Sequence, residues 1–383
     1  MKTATDIPQE PAALTFTLLR LLADGAFHSG ETLAQQLGIS RASVSNALRG
    51  VERYGLELYG VRGRGYCLSH PPQWLDAERI AAHMGVRGKN FRIEVLDSAA
   101  SSNALLLQRA RLNVADAPGG SVLALEWQSG GRGRLGRTWH SGLGNALTFS
   151  LLWRFDCGLS ALSGLSLAAG VALIRALRVL GIRGAQLKWP NDVLGEMKLA
   201  QRDRSPLARL REITSDLPAR GLSRMASSSI REGERAAMGK LAGILIETQG
   251  DMLGPSAVVI GIGLNLSLQQ QMLCRIGQPV TSLADMTDAV PERNQLLATI
   301  LLELEGVLRE FADRGFAALR AEWQRYHGLQ DRAVQLSLPD GSRVDGIVRG
   351  VADDGALELE TMREIRRFNA GEVSLRDARH AAA

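Results

Sequence analysis

The stretch Gln128-Ser129-Gly130-Gly131-Arg132-Gly133-Arg134-Leu135-Gly136-Arg137-Thr138-Trp139 sets the reading of the whole chain. Four glycines and three arginines fall between Gly130 and Arg137, directly after Ser121 to Trp127, an apolar run that predicts a strand. Glycine lets a backbone turn through positive φ and brings its N–H groups close to a ligand. Arginine presents a planar fork of donors that matches phosphate or carboxylate oxygens. A strand feeding such a loop predicts an anion cradle, because successive N–H groups can form a nest. Taken alone, the same residues also describe a solvated basic loop, so the flanking segments decide between the two.

Working outward, Phe91 to Leu96 predicts a strand, and Ser101-Ser102-Asn103 caps a helix that begins at Ala104. Capping alone accounts for those polar side chains, but they also stand where a polar ligand head would meet helix N–H groups. Leu147 to Trp153 predicts the strand after the loop, and Leu159 to Leu180 a long apolar helix. Lys188-Trp189-Pro190-Asn191-Asp192 reads as a polar turn in which proline ends a strand. Leu241 to Glu247 and Ala257 to Leu266 predict buried strands whose glycines admit a second backbone or a ligand. Strands alternating with helices in this way predict an α/β domain over residues 71–328.

Residues 1–70 read as a separate unit. Ala13 to Ala23 has helical periodicity. Ser29 caps a helix ending at Leu37, Gly38 makes a tight turn, and Ser40 caps a helix from Arg41 to Arg49. Helix, glycine turn and helix form a helix-turn-helix, whose second helix would offer Ser40, Arg41, Ser43, Ser45 and Asn46 to a DNA groove. Leu56 to Tyr59 and Tyr66 to Leu68 predict a hairpin, a basic wing carrying Arg62 and Arg64. A protein-interaction module is the other use of such a unit. Ser69-His70-Pro71-Pro72 reads as a linker. Past two amphipathic helices, Pro291 to Arg314 and Gly315 to Tyr326, residues 329–383 show short strands. Tight turns at Pro339-Asp340-Gly341 and Asp353-Asp354-Gly355 separate them, as in a small β-barrel.

Composition sets the bounds. The chain of 383 residues is 45% hydrophobic and 22% charged, with a net charge of +5 and a pI near 9.4. That is an ordinary soluble composition, permitting contact with nucleic acid or phosphate. Cys67, Cys157 and Cys274 are sparse and share no metal-ligand spacing, which fits a reducing compartment. The N-terminus has no signal-peptide layout, and Leu162 to Leu177 is too polar to span a bilayer. The expectation is a cytoplasmic protein with no membrane contact and no protein-bound metal cluster.

Three motifs now stand in order: the Gly131-to-Arg137 loop, Lys188 to Asp192, and Lys240-Leu241-Ala242-Gly243-Ile244-Leu245-Ile246-Glu247. Together they resemble the biotin protein ligases. With the winged helix and the C-terminal barrel, the chain resembles the bifunctional bacterial class that also represses biotin-synthesis genes. The resemblance implies a class II synthetase-like α/β ligase domain between a winged helix-turn-helix and an SH3-like barrel. It implies that biotin and ATP, with Mg²⁺, yield biotinyl-5′-AMP, which then passes to a lysine of a biotin carboxyl carrier protein, the acetyl-CoA carboxylase subunit. It further implies operator DNA as a partner and a homodimer when the adenylate is bound. By the same resemblance Ser101, Ser102, Asn103, Gln128, Arg132, Gly133, Arg134 and Lys240 bind biotin. Arg132, Arg134, Arg137, Asn191, Asp192, Asn265 and Arg376 face ATP or the adenylate, and Lys240 and Arg134 carry the catalysis. A turn-forming role for Asn191 and Asp192 accounts for them equally.

One departure stands out. A segment from Gln201 to Gly239, rich in arginine and serine, separates the Asn-Asp turn from the lysine strand, where the family has only a few residues. Its composition predicts no core of its own. Lys-Leu-Ala occurs twice, at Lys198 and at Lys240, and only the second copy continues into Gly-Ile-Leu-Ile-Glu. Lys240 is therefore the expected active lysine and Lys198 the fallback. Three other readings stay open at this point: a DNA-binding biotin sensor whose ligase activity the insert impairs, a lipoate or octanoate ligase, and a ligase with a silent winged helix.

Overall fold

The computed structural model describes residues 10–112, 119–197, 237–269, 273, 276–338 and 340–369, together with the backbone of residues 374–377. The expected insert up to residue 236, Lys198, Cys274 and Pro339 lie outside the described residues.

The N-terminal unit is built as its caps predict. Helices α1 (Ala13–Leu21), α2 (Gly30–Leu37) and α3 (Arg41–Leu48) are followed by the hairpin β1 (Leu58–Val61) and β2 (Gly65–Leu68). The Ser29 hydroxyl accepts the Thr32 N–H, Gly38 leaves α2 in the left-handed region at φ 65°, and the Ser40 hydroxyl accepts the Ser43 N–H. The first wing strand starts two residues later than expected because Leu56 is buried in the core of the unit instead of pairing. That core is not closed on itself. Trp127 and Leu143 of the following domain complete it, with Tyr54 edge-on to Trp127 at 5.5 Å between ring centres. Asn145 donates to the Gly55 carbonyl at 2.8 Å, and the Arg20 guanidinium lies 4.5 Å over the Trp74 ring while pairing with Asp97.

The expected linker leads into an equally pinned segment. Asn294 donates to the Trp74 carbonyl, and Arg293 and Glu126 hold Gln73 and Leu75.

After α4 (Ala77–Met84) come β3 (Arg92–Ala99), α5 (Ser102–Arg111), β4 (Ser121–Gln128) and β5 (Ala146–Phe155). They are followed by α6 (Leu165–Val179), β6 (Gln186–Lys188), β7 (Asp192–Glu196), β8 (Met238–Gly250) and β9 (Ser256–Asn265). The seven strands form one sheet in the order β3-β4-β5-β9-β8-β7-β6, parallel only between β3 and β4. Strand β8 pairs with Gly195 and Glu196 from its first residues, so Met238 and Gly239 belong to the sheet and not to the insert. Helix α5 covers one face through Leu106 and Ala110. The other face carries α6 and, beyond the short α7 (Leu283–Met286), α8 (Arg293–Arg314) and α9 (Ala317–Tyr326).

The expected helix from Leu159 to Leu180 is broken. A 3-10 turn, Leu159–Leu162, precedes α6, and Gly164 between them has φ 81°. A Cβ at Gly164 would lie 2.7 Å from Phe316, so this crossing requires glycine as well as a turn.

The C-terminal unit is a five-stranded antiparallel sheet, in order β13 (Ile365–Phe368), β12 (Leu357–Glu360), β11 (Arg343–Val351), β10 (Ala333–Ser337) and β14 (Ser374–Asp377). Its Val334, Leu336, Val348 and Leu357 join the core of α8 and α9. Trp189, expected within a polar turn, is fully buried, and its indole N–H donates to the Gly355 carbonyl at 3.0 Å. The Lys-Trp-Pro-Asn-Asp turn is thereby fastened to the C-terminal sheet. Among the described residues no helix is long and apolar enough to cross a membrane.

Candidate active site

A cleft of about 750 Å³ opens where the Gly-Arg loop faces β8, lined among others by Arg132, Arg134, Ser166, Asn191, Ile244 and Glu247. The loop is a self-bonded arm. Gly133 N–H donates to the Arg137 carbonyl, Trp139 N–H donates to the Gly131 carbonyl, and the base is tied to β3 by Gly130 N–H on the Ala100 carbonyl. Leu135 takes φ 55° at its tip.

One wall is the start of α5. Ser101 is the N-cap and accepts the Ala104 N–H. Ser102 donates its backbone N–H to Gln128 Oε1 at 3.0 Å, and the Ser150 hydroxyl lies 2.7 Å from the Ser102 hydroxyl. Ser150 also donates to Asn103 Oδ1, which orients that amide. Asn103 Nδ2 then donates to the Leu245 carbonyl at 3.2 Å and to Glu247 Oε2 at 3.0 Å. Ser101, Ser102, Asn103 and Gln128, expected together from sequence, do meet, the N-cap Ser101 and the α5 residues Ser102 and Asn103 all being buried. Both Asn103 donors are spent inside the protein, however, so this side chain positions the others. Arg132 joins the group through Glu247, 2.9 Å away.

The cationic end is built around Asp192. Lys240 Nζ lies 2.7 Å from Asp192 Oδ1 and 5.8 Å from the centre of the Trp139 ring. The register of β7 on β8 slips opposite Leu241, leaving one extra residue in β8 beside Lys240; bulges of this kind re-aim a side chain. Arg134 Nη1 is 3.5 Å from Asn191 Oδ1. Burial pushes the Arg134 guanidinium below its ordinary value, Asp192 draws it back up, and Arg137 adds to the lowering. Two cations, Lys240 and Arg134, thus share one carboxylate, an arrangement suited to a more highly charged anion.

Other expected residues fall elsewhere. Asn265 is buried beneath the site, its amide donating to the Lys240 and Thr281 carbonyls at 3.2 and 3.0 Å. It holds the backbone of Lys240 and does not face the cleft with its donors. Gly133 and Arg137 belong to the loop, Arg137 at its exposed edge. Arg376 is in β14, opposite Gln335, and its side chain lies outside the described residues. On the winged unit Ser40, Arg41, Asn46, Arg62 and Arg64 are exposed, Ser43 and Ser45 half-buried, and Arg64 stacks 4.1 Å over the Phe27 ring.

Sequence reasoning missed Ser150, Glu247 and Trp139. A serine in the middle of a largely apolar strand was the available signal for Ser150. The facing glycines were the signal for Trp139. A Cβ at Gly263 would come within 2.3 Å of the Trp139 ring and one at Gly261 within 2.2 Å of Asn103, so those glycines admit protein side chains and not a second backbone. The Trp139 indole N–H is buried without an acceptor among the described residues.

The sheet that carries this loop falls in a region matching the biotin and lipoate ligases. The profile of the Biotin/lipoate A/B protein ligase family matches residues 95–201, ending where the insert begins. An HTH domain matches residues 15–67 and the Biotin protein ligase C terminal domain residues 331–376. The chain is 33% identical over 362 residues to the bifunctional ligase/repressor BirA of Salmonella typhimurium, covering 94% of this chain and 97% of that one. The Escherichia coli counterpart is 32% identical over 361 residues, with the same coverage. In fold, it is similar to the biotin protein ligase from Aquifex aeolicus in complex with biotin and ATP. The TM-score there is 0.54 at 23% identity, over 75% of this chain and 99% of that one. The chain belongs to the BirA family of bifunctional ligase/repressors.

Proposed function

We propose that the cleft activates biotin as biotinyl-5′-AMP and that the same protein, through its winged unit, represses transcription at an operator. The observation that carries the first part is the convergence of Lys240 on Asp192 and of Arg134 on the adjoining Asn191 at one end of a cleft whose other end is the Ser102–Gln128 network. In the proposed reaction, Ser101, Ser102 and Gln128 hold the polar head of biotin and Trp139 flanks its apolar part. The biotin carboxylate oxygen bonds to the α-phosphorus of ATP while the bond from that phosphorus to the β-bridging oxygen breaks, and pyrophosphate leaves. Arg134 and Lys240 neutralise the charge that builds on the phosphoryl oxygens, and Arg132, Arg137 and Gly133 close the loop over the product. An amine of an acceptor lysine then attacks the biotinyl carbon, AMP departs, and an amide remains. Mg²⁺ would arrive on the ATP phosphates. Asp192 is the carboxylate beside Arg134 suited to take one position on it, with Asn191 next to it, as hard cations prefer oxygen donors.

The acceptor we propose is a biotin carboxyl carrier protein, and the setting the cytoplasm, where ATP is abundant. For the repressor, exposed Arg41, Asn46, Arg62 and Arg64 would contact phosphates and base edges. A two-fold operator would require a homodimer, formed when the adenylate is bound.

The test is the intact mass of an apo carboxyl-carrier domain after incubation with the protein, biotin and Mg-ATP. One added biotin is the expected outcome. No addition, with biotin still bound, would leave a sensor, and preference for lipoate in competition would leave a lipoate ligase. Sedimentation with operator DNA and biotinyl-AMP tests the dimer, which a purely monomeric complex would exclude.

A further inference from the structure

Strand β8 begins its motif with Lys240 and ends it with Glu247, a carboxylate to which the reaction above assigns no task. A single oxygen of it, Oε2, accepts from Asn103 Nδ2 at 3.0 Å and pairs with Arg132 Nη2 at 2.9 Å. Asn103 lies in the first turn of α5 and Arg132 in the Gly-Arg arm. The arm's backbone hydrogen bonds run within itself or to the end of β3. The pair with Glu247 therefore ties the arm to the sheet at the cleft.

The neighbours make the tie directional. Ser150 fixes Asn103 Oδ1, so the amide must present Nδ2 to Leu245 and to Glu247, whose same oxygen meets Arg132. The same Ser150 touches Ser102, which touches Gln128. A continuous chain of contacts thus runs from Gln128 through Ser102, Ser150, Asn103 and Glu247 to Arg132.

We propose that Glu247 is a positioning residue that docks the Gly-Arg arm through Arg132 and keeps the head-group site and the arm in register. The inference rests on the biotin-activating reading. With Glu247 in place, the arm lies over the cleft whenever the α5 turn is correctly set, so biotin is held and the adenylate retained until an acceptor arrives. Stability does not explain the pair. Glu247 and Arg132 side chains are 23% and 45% exposed, and ion pairs at such exposure add little to folding.

The experiment uses the full chain with Glu247→Ala, Glu247→Gln, Arg132→Ala and the double change Glu247→Ala/Arg132→Ala. Loss of one charge-assisted hydrogen bond predicts that Glu247→Ala raises the KM for biotin and speeds adenylate escape, each about tenfold or more. The KM for ATP should hold, and the melting temperature should move by no more than about 2 °C. Glu247→Gln keeps an acceptor for Asn103 and should fall between native and Ala. Adding Arg132→Ala to Glu247→Ala should cost nothing further, because one tie is removed once. Unchanged biotin KM and adenylate lifetime in Glu247→Ala, or full multiplication of the two single effects, overturns the inference while leaving the ligase reading intact. A native chain that forms no biotinyl-adenylate removes the underlying reading and the inference together.

Discussion

Lys240 Nζ sits 2.7 Å from Asp192 Oδ1, across the slipped register between β7 and β8, and both side chains are only 18% exposed. A compact ammonium held this way is a preorganised point charge beside the place where phosphoryl oxygens would develop charge. Removing one such group from an active site costs about 10²–10³ in rate. Lys240→Ala is therefore expected to slow pyrophosphate release by that order, and Lys240→Arg to rescue little, since a planar fork does not replace a point charge. A Lys240→Ala protein that releases pyrophosphate at the native rate would reassign the active lysine.

The glycines of β9 bear directly on the cleft. A methyl group at Gly263 would stand 2.3 Å from the Trp139 ring, well inside contact distance. Overpacking of this kind typically costs about 1–3 kcal/mol, here drawn from the placement of Trp139 and of Lys240 beside it. Gly263→Ala should weaken biotin binding in calorimetry by about tenfold or more. Unaltered affinity would remove Trp139 from the site.

The buried ion pair of Arg293 and Glu126, at 2.7 Å with side chains 2% and 0% exposed, anchors the segment that leads out of the winged unit. Glu126 also accepts the Leu75 N–H at 2.6 Å, and Arg293 donates to the Ala146 carbonyl at 3.1 Å. Glu126→Ala leaves an unpaired charge in the core and is expected to lower unfolding free energy by about 3–5 kcal/mol, measured by denaturant titration. A loss under about 1 kcal/mol would mean that water reaches Arg293.

Stability should also fall in acid, for a reason located in α9 and the turn after it. Burial pushes the His327 imidazole down to about 4, the neighbouring Gln330 side chain offsetting part of the shift. The unfolded chain takes up that proton near pH 6.5 and the folded chain does not. Stability is thus fully present above about 6.5 and declines toward pH 4, by roughly 3 kcal/mol in all. Glu305 acts in the same direction lower down. Burial raises it, but hydrogen bonds from Arg309, Asn90 and Arg87 outweigh that and hold it below the usual carboxylate range. Its contribution is present above the unfolded value and lost as pH falls through the folded one. His327→Phe, which keeps a ring against Trp323, should flatten the decline between pH 6.5 and 4; an unchanged slope would exonerate His327.

Much of this was legible in the chain because the signals are local. Ser29 and Ser40 each accept an N–H three residues on, Gly38 turns within its own helix end, and the loop from Gly130 to Arg137 lies within eight residues. Such features need only neighbours, so residue type and spacing suffice to announce them. The three motifs in order determined the family, and the continuation after Lys240 marked the lysine that the sheet sets beside Asp192. Tertiary structure alone decided that Asn265 supports Lys240 from beneath, that Gly164 breaks a helix against Phe316, and that the winged unit shares its core with Trp127. It alone decided the role open to Glu247, whose partners Asn103 and Arg132 lie 144 and 115 residues away in the chain. Those contacts depend on strand register and on which faces the helices cover, properties that no short window of sequence contains.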